Sequence, residues 1–303
     1  MSDASGARHS IAYVPEVTYG TTPATPAFKK LRHTGVTLGL SKDLVESGEI
    51  RDDRQVGTSR HGNRKVGGDI EGELSYTSFD EMLEAVLCGT WATNVLKAGT
   101  TRRSFTFERN FADIGQYIRY TGCELNSLEL SVAPNQMVTV GFGVVGKDQV
   151  IAQTAITDST YAATGTTEPF DSFTGTITEG GVAIGIVTEL KLSLENGIEP
   201  QFAIGSKTTR RPSIGRSKLS GSMTVFFEDE TMLEKFQDET ESSIEFTLVD
   251  LDGNTVTVEL PLTQYNSGQP DVSGEGSVTI SIDFQALYST ADASQVVITR
   301  TPA

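Results

Sequence analysis

Few residues of the types that carry covalent chemistry occur in this chain of 303 residues. It has two cysteines, three histidines and one tryptophan. Cys88 and Cys123 do not form a Cys-x-x-Cys pair and indicate buried free thiols, although a disulfide between them stays open. His9, His33 and His61 are scattered among polar residues without the spacing of metal ligands. We therefore expect no catalytic residues, no metal site and no cofactor.

Positive charge is also scarce. Lys and Arg total 24 against 40 Asp and Glu, which gives a formal net charge of −16. Because neutralisation of phosphates by Lys and Arg supplies most non-specific affinity for nucleic acids, tight general DNA binding is not expected. No segment approaches the roughly 20 apolar residues that cross a bilayer, and the first residues lack the apolar core of a signal peptide. We expect a soluble protein that is cytoplasmic when it is made.

The residues that are abundant favour β-structure. Hydrophobic residues make up 37% of the chain, 30 residues are Gly, and Thr, Ser and Val are common. The length fits two domains of ordinary size. The composition therefore predicts a mainly β protein with little helix.

The order of predicted elements in the first half recurs in the second half. Each half has a charged loop, then an alternating strand, then a short amphipathic helix. These elements cover residues 48–64, 66–76 and 79–88 in the first half, and 205–216, 219–227 and 229–238 in the second. The tripeptide Met82-Leu83-Glu84 in the first helix reappears as Met232-Leu233-Glu234 in the second. Order and spacing together indicate a duplicated domain.

Further strands continue the correspondence. Predicted hairpins cover residues 105–120 and 246–260, closing strands cover 137–142 and 278–284, and early strands cover 36–40 and 187–194. We expect a first domain over residues 1–153, a linker rich in Thr, Ala, Ser and Gly over 154–181, and a second domain over 182–303. Residues 296–299 predict one more strand, added within the chain or to a neighbouring chain. The predicted fold is therefore two tandem β-sandwiches or curled sheets, each with one short flanking α-helix and a long charged loop.

Two motifs resemble ligand sites but lack the required context. Residues 141–146 read Gly-x-Gly-x-x-Gly after a strand, yet no helix follows to bind a pyrophosphate. Residues 250–254 are spaced like the start of a calcium loop, but Pro261 occupies the position of the bidentate Glu. A hairpin turn is the favoured interpretation of residues 250–254, because Asp-Gly and Gly-Asn supply the positive φ of such turns.

Basic residues cluster in both charged loops. They are Arg51, Arg54, Arg60, His61, Arg64 and Lys65 in the first loop, and Lys207, Arg210, Arg211, Arg216 and Lys218 in the second. In so acidic a chain, basic loops and acid-rich stretches such as 227–241 suggest charge complementarity between neighbouring subunits. We predict that these Arg and Lys residues make contacts between subunits. The alternative is that both loops are solvated and mobile.

Several segments of the first half together resemble a known family. They are the arm Tyr13-Val14-Pro15-Glu16-Val17-Thr18-Tyr19-Gly20-Thr21-Thr22-Pro23, the strand Val66-Gly67-Gly68-Asp69-Ile70-Glu71-Gly72-Glu73-Leu74-Ser75, and residues 28–35, 50–55, 79–91 and 103–108. These segments are similar to the major tail tube proteins of long-tailed, siphovirus-type bacteriophages. The resemblance covers residues 11–146 and depends on a run of short motifs in order.

The resemblance implies a β-sandwich tube domain whose sheets join around a ring and whose long loop reaches the next ring. Stacked rings would form the hollow tail through which the genome passes into the host. It implies a structural virion protein, not an enzyme, assembled in the host cytoplasm, with itself, a tape measure protein, a tail terminator and distal tail proteins as partners. DNA would pass through the lumen without specific binding. An acidic chain suits this role, because a positive lumen would hold DNA.

The duplication adds an expectation about stoichiometry. Rings in this family generally have sixfold symmetry with one domain per subunit, so a chain with two such domains should close a pseudo-sixfold ring with three copies. Residues 183–287 resemble the family less strongly, and a second domain displayed on the outside would leave six copies per ring instead. The alternative function is a capsid decoration or carbohydrate-binding β-sandwich module of a virion.

Overall fold

The computed structural model of the chain describes residues 3–185, 187–228, 230–272 and 274–303. The fold is mainly β, as the sequence predicts. In these ranges, α-helix is confined to α1 (Asp80–Val86) and α2 (Thr231–Gln237), and a short 3-10 helix covers Gly6–Arg8.

The strands are numbered along the chain. The first ten are β1 (His9–Pro15), β2 (Ala27–Leu31), β3 (Gly35–Val36), β4 (Gly39–Glu46), β5 (Ser59–Glu73), β6 (Val95–Lys97), β7 (Phe105–Phe111), β8 (Gln116–Val132), β9 (Thr139–Gly146) and β10 (Asp148–Ala152). The remaining twelve are β11 (Thr160–Ala162), β12 (Thr176–Glu179), β13 (Val182–Ala183), β14 (Val187–Glu195), β15 (Glu199–Gln201), β16 (Arg210–Ser213), β17 (Lys218–Phe226), β18 (Ser242–Val249), β19 (Thr255–Tyr265), β20 (Pro270–Asp271), β21 (Thr279–Ala286) and β22 (Val297–Thr301).

One antiparallel sheet continues from the first half of the chain into the second. Its strand order is β4–β5–β9–β8–β14–β17–β21. We call it the central sheet. Its strands alternate apolar residues, which are buried, with polar residues, which face away from the core. In β14, for example, Leu190, Leu192 and Leu194 are buried while Lys191 and Glu195 are exposed.

A second layer of strands covers the buried face of the central sheet in each half. In the first half its order is β2–β1–β7–β8–β10, and in the second half it is β13–β12–β18–β19–β22. Strand β8 belongs to both layers, because Gln116–Cys123 pairs with β7 and Glu124–Ser131 pairs with β9. Strand β19 does the same in the second half, where its last residues pair with β21. The pairing order of the first half therefore recurs in the second.

The first charged loop is shorter than the sequence indicates. Strand β5 begins at Ser59, and Glu46, Val45 and Leu44 of β4 pair with Ser59, Arg60 and His61. Residues 59–65 are polar or Gly on both faces, so no apolar alternation marks them as strand. The helices lie within their predicted ranges. No side chain caps α1 at Phe79, and Oγ of Ser78 accepts a hydrogen bond from Oγ of Ser75.

Residues 154–181, expected as a linker, contribute a strand to each half. Strand β11 pairs in parallel with β2, and β12 pairs with β18. Phe170 is fully buried, and its backbone amide donates to the carbonyl of Leu74 in the first half. Residues 296–299 form part of β22 within the chain. Cys88 and Cys123 are buried free thiols, as predicted.

Candidate assembly interface

The junction between the two halves is a regular strand pair with a buried asparagine at its end. Strands β8 and β14 pair from Val132 opposite Leu190 to Ser127 opposite Glu195. Just beyond, Asn196 is only 3% exposed. Its Nδ2 donates to the carbonyl of Val86 at 2.7 Å and its backbone amide donates to the carbonyl of Asn126 at 2.8 Å. The first residue after β14 is thus bonded to the end of α1.

A buried carboxylate links the second charged loop to the first half. Glu124 is 2% exposed, and its Oε1 accepts a hydrogen bond from Nε of Arg211 at 2.8 Å. Its Oε2 accepts from Nε of Arg102 at 3.1 Å. The guanidinium of Arg211 also lies 5.7 Å from the ring centroid of Tyr19. Burial, with the nearby charge of Glu124 next in size, raises the pKa of the Tyr19 hydroxyl. Arg211 is therefore a contact within the chain.

The last strand fastens the second half to the loop that follows α1. Strand β22 pairs with β6 over three residues, Val297–Thr299 against Val95–Lys97. Arg300 lies over Trp91 with its guanidinium carbon 3.9 Å from the ring centroid, and it forms an ion pair with Asp80. Burial raises the pKa of Asp80 to about 6, and the positive charge of Arg300 opposes this rise.

Apolar strands of the second half cover α1. Leu83 and Leu87 line an apolar cleft together with Val256 and Val258 of β19 and Ile298 of β22. Four of the seven α1 residues are buried, whereas none of the α2 residues is buried. The helices correspond in sequence but differ in burial.

Two outer strand edges beside the central sheet lack a partner among the described residues. At one end, β3 and β4 pair only with β5. At the other end, the outer edge of β21 is met by the last residues of β19 and by β20, and β20 pairs only with β21. Val272, directly after β20, is 70% exposed. An open sheet edge exposes unpaired backbone donors and acceptors, which another strand can bind.

The face of the central sheet that points away from the core is acidic. The charged residues on this face in β5, β8, β14, β17 and β21 are Asp69, Glu71, Glu73, Glu129, Glu189, Glu195 and Asp283, against Lys65, Lys191 and Lys218. An open groove on this face is lined by Glu71, Glu129 and Lys191 together with Ser131, Ser193 and Ser222. Small hydroxyl side chains lie between the carboxylates, so the surface is polar and low in relief.

The basic residues of the first loop do not form one cluster. Every residue from 44 to 60 is exposed. Arg51 pairs with Asp53 in the same loop, and Lys65 pairs with Asp43 across the hairpin at 2.9 Å. Arg64 pairs with Asp148 of β10 at 3.3 Å. Arg54 has a positive φ of 60°, and Arg60 lies opposite Val45.

The second loop folds back onto the first. Nζ of Lys207 donates to the carbonyl of His61 at 2.9 Å, and the amide of Arg64 donates to the carbonyl of Lys207 at 2.7 Å. Arg210 and Arg216 are exposed, and Lys218 lies opposite Glu195. The structure thus brings Lys207 to the first loop, while contacts of these residues with other subunits stay a prediction.

Sequence reasoning missed the residues that join the halves. Glu124, Arg102, Trp91, Asp80 and Arg300 are far apart in the chain and belong to no local motif. One signal was present, because the Met-Leu-Glu tripeptide identifies α1 and α2 as equivalent and directs attention to what covers each helix.

The two ligand-like motifs have structural roles. Residues 141–146 lie inside β9, and residues 250–254 form the β18–β19 turn, in which the backbone amide of Asn254 donates to Asp250 at 2.8 Å. Among the described residues, no three His, Cys, Asp or Glu side chains gather where they could share a metal ion. In the same ranges, no helix has the length and apolar character needed to cross a membrane.

A family model described as phage tail tube protein matches residues 6–286, a range that includes both halves of the central sheet. No curated protein matches the chain.

Proposed function

The chain belongs to the phage tail tube protein family, and we propose on this premise that three copies close into a pseudo-sixfold ring whose stacking builds the hollow tail tube. It is a structural protein of the virion tail that assembles with itself. In this proposal, residues 1–153 and 182–303 are two tube domains joined by 154–181, and the tube is the conduit for genome ejection.

The β8–β14 pair within the chain supports ring closure, because it is a junction between two equivalent sheets. In the first half, β3 and β4 occupy the place that β14 has in the second, since each pairs with the strand that precedes a helix. In the second half, β19 and β20 occupy the place of β8. The open edge at β20 of one copy is therefore the natural partner of the open edge at β3 and β4 of the next.

The acidic face of the central sheet then lines the lumen. Closing the sheet around a ring places its apolar face outward, where the second layer covers it, and leaves the polar face inward. Glu71, Glu129 and Asp283 on that face repel the phosphate backbone. DNA therefore passes through without specific binding.

Stacking is assigned to the exposed loops. The β4–β5 hairpin carries Ile50, which is fully exposed, Val56, which is 64% exposed, and the basic residues of the first loop. The basic residues would bind acidic surface on the next ring, and the exposed apolar side chains would be buried in the same contact. A tape measure protein would occupy the lumen during assembly, and a tail terminator and distal tail proteins would bind the two ends of the tube.

Electron microscopy of the purified protein tests this proposal. The protein is concentrated, the ionic strength is raised, and negatively stained particles are classified. We expect hollow tubes made of rings with threefold symmetry and six similar outer lobes. Six identical copies per ring would overturn the three-copy arrangement, and a protein that stays monomeric under all conditions would overturn the tube.

A pair of matched variants tests the sheet edge itself. Val272→Asp places a charge beside the open β20 edge and should prevent ring closure. Leu251→Asp places the same charge in the β18–β19 turn, where Leu251 is 77% exposed, and should not. Equal assembly of both variants would contradict edge pairing at β20.

A further inference from the structure

The two ends of the central sheet differ in charge. At one end lie the cross-strand pairs Val66–Gly146 and Glu195–Lys218, and at the other lie Glu73–Thr139 and Val187–Val225. Both charged loops are at the first end. Residues 42–65 and 196–218 there contain 11 of the 24 Lys and Arg residues but only six of the 40 Asp and Glu residues. We call it the basic end.

The opposite end of the sheet is acidic, and we call it the acidic end. The segments that reach it contain no Lys or Arg over residues 66–96, 120–146, 163–190 and 219–234. Its acidic residues are Glu73, Glu168, Asp171, Glu189, Glu228 and Glu230. Lys191, the first cation of β14, pairs with Glu189. Paired strands of eight residues, about 25 Å long, separate the two ends of one chain.

The β4–β5 hairpin projects from the basic end. Pairing of β5 with β9 stops at Val66, while pairing of β5 with β4 continues to Ser59. Residues 59–65 therefore form a two-stranded ribbon with β4 that extends about 20 Å past the sheet. The tip beyond the ribbon carries Ile50 and Val56, which are 100% and 64% exposed. The tip is thus apolar, and the sheet end behind it is basic.

An apolar groove opens at the acidic end, and we call it the Phe173 groove. Its lining includes Val132, Pro134, Phe173, Ile177, Val187 and Glu189. Phe173 is 71% exposed, and Pro134 is exposed in the turn between β8 and β9. Val132, Ile177 and Val187 pack against the core and so lie at the floor of the groove. The groove therefore has exposed apolar walls above a fixed floor.

Exposed apolar side chains occur on both surfaces. Met137, which forms a bridge with Asp171 at the acidic end, is 46% exposed and adds to Phe173 and Pro134. The hairpin tip offers Ile50 and Val56. Contiguous exposed apolar residues with a polar surround are typical of a protein–protein contact.

We infer that the tip of the β4–β5 hairpin of a second copy of this chain docks in the Phe173 groove. A second copy is the occupant because the basic end of one copy complements the acidic end of another, whereas like ends repel. Head-to-tail contacts of this kind build a filament in place of a closed pair. This inference rests on the stacked rings proposed above. It names the surface that receives the hairpin and gives every ring in the tube the same direction.

Cysteine cross-linking of the assembled full chain tests the docking. Ile50→Cys combined with Phe173→Cys places one thiol on each surface. Ile50→Cys combined with Ile151→Cys is the matched control, because Ile151 lies on β10 and is 65% exposed. The native cysteines are buried. Under mild oxidation the first pair should give a covalent ladder that continues beyond three chains, since each copy joins one copy above and one below, and the control pair should give none.

The outcomes separate the docking from the tube itself. Hollow tubes without cross-links from the first pair, or equal cross-linking by both pairs, would overturn the docking and leave the tube intact. A ladder from the first pair in filaments that have no lumen would support the docking and overturn the tube. Absence of tubes together with absence of cross-links would overturn both.

A second variant measures the strength of the contact. Phe173→Asp should raise the protein concentration needed for tube elongation by about tenfold or more, because the contact loses a buried aromatic side chain. Ring yield and melting temperature should match the unmodified protein, since Phe173 is 71% exposed in the single chain. Ile151→Asp is the control and should elongate at the concentration of the unmodified protein. Equal elongation of the two variants would contradict the docking.

Discussion

Arg300, three residues from the end of the chain, lies over Trp91 of the first half with 3.9 Å between its guanidinium carbon and the ring centroid. The guanidinium of Arg300 also forms an ion pair with Asp80, the first residue of α1. Both partners belong to the segment around α1, so the C-terminal strand holds the two halves in one arrangement. In the proposed three-copy ring, this contact would help to hold the two halves of each copy as one unit.

Replacing Arg300 should therefore destabilise the whole chain. Arg300→Ala leaves Asp80 largely buried without its cation and removes the contact with Trp91. We expect the free energy of unfolding to fall by about 2–4 kcal/mol, measured by denaturant titration. The control is Arg216→Ala, an exposed position at which the change should stay within about 0.5 kcal/mol. Equal effects of both variants would contradict the role given to Arg300.

The raised pKa of Asp80 gives stability a pH dependence of known sign. Burial raises this pKa from 3.8 to about 6, so the folded chain holds the proton more tightly than the unfolded chain does. Stability from this group is complete below about pH 4 and is lost as pH rises to about 6. Relative to Asp80→Asn, the unmodified protein should lose at most about 3 kcal/mol over this range. Chemical denaturation at a series of pH values measures the difference.

Glu179 supplies a control of opposite sign. Burial alone would raise its pKa, but hydrogen bonds from Lys235, Ser242 and Tyr265 outweigh burial and lower the pKa below 4.5. Its stabilising contribution is therefore present above pH 4.5 and is lost as pH falls. Relative to Glu179→Gln, the unmodified protein should lose stability on acidification. Parallel pH dependence of the two variants would show that neither effect arises at the named site.

The local features of this fold could be predicted from sequence, and the long-range contacts could not. The mainly β class and the two helices follow from alternation and from stripes such as Phe79, Met82 and Val86, which are visible in a short window. The register of β8 on β14 does not follow from this alternation, because Leu128 and Leu130 would still face the core after any shift by two residues. The partnership of Arg300 with Trp91 also leaves no local pattern.

The residues of the candidate interface could be predicted only in part, because the contacts that decide their roles join distant parts of the chain. Composition and charge indicate which loops are basic, but not which cation binds a buried carboxylate. Arg210 and Arg211 are both exposed, but only Arg211 is hydrogen-bonded to buried Glu124. Neighbouring residues on a strand point to opposite sides, so adjacent cations have different roles.

Charge reversal in the second loop should consequently have two separable effects. Arg211→Glu places a carboxylate beside the buried Glu124 and should lower the melting temperature of the monomer. Arg210→Glu combined with Arg216→Glu should leave melting unchanged and shorten the tubes, if the exposed basic residues bind acidic surface on another subunit. Melting curves and tube lengths in micrographs measure the two effects. Tubes of full length from the double variant would contradict a stacking role for these two residues.

The β4–β5 hairpin gives the sharpest test of stacking, because its tip can be removed without touching the core. Glu46 and Ser59 are the last paired residues of the hairpin, and all residues between them are exposed. Replacing residues 47–58 with Asn-Gly closes the two strands with a tight turn that matches their twist. We expect an unchanged melting temperature, rings in normal yield, and no tubes.

A second variant that carries Gly and Ser at all positions 47–58 keeps the length and removes Ile50, Arg51 and Val56. Tubes from this second variant alone would mean that the hairpin backbone is sufficient for stacking, and tubes from both would show that the hairpin does not join the rings.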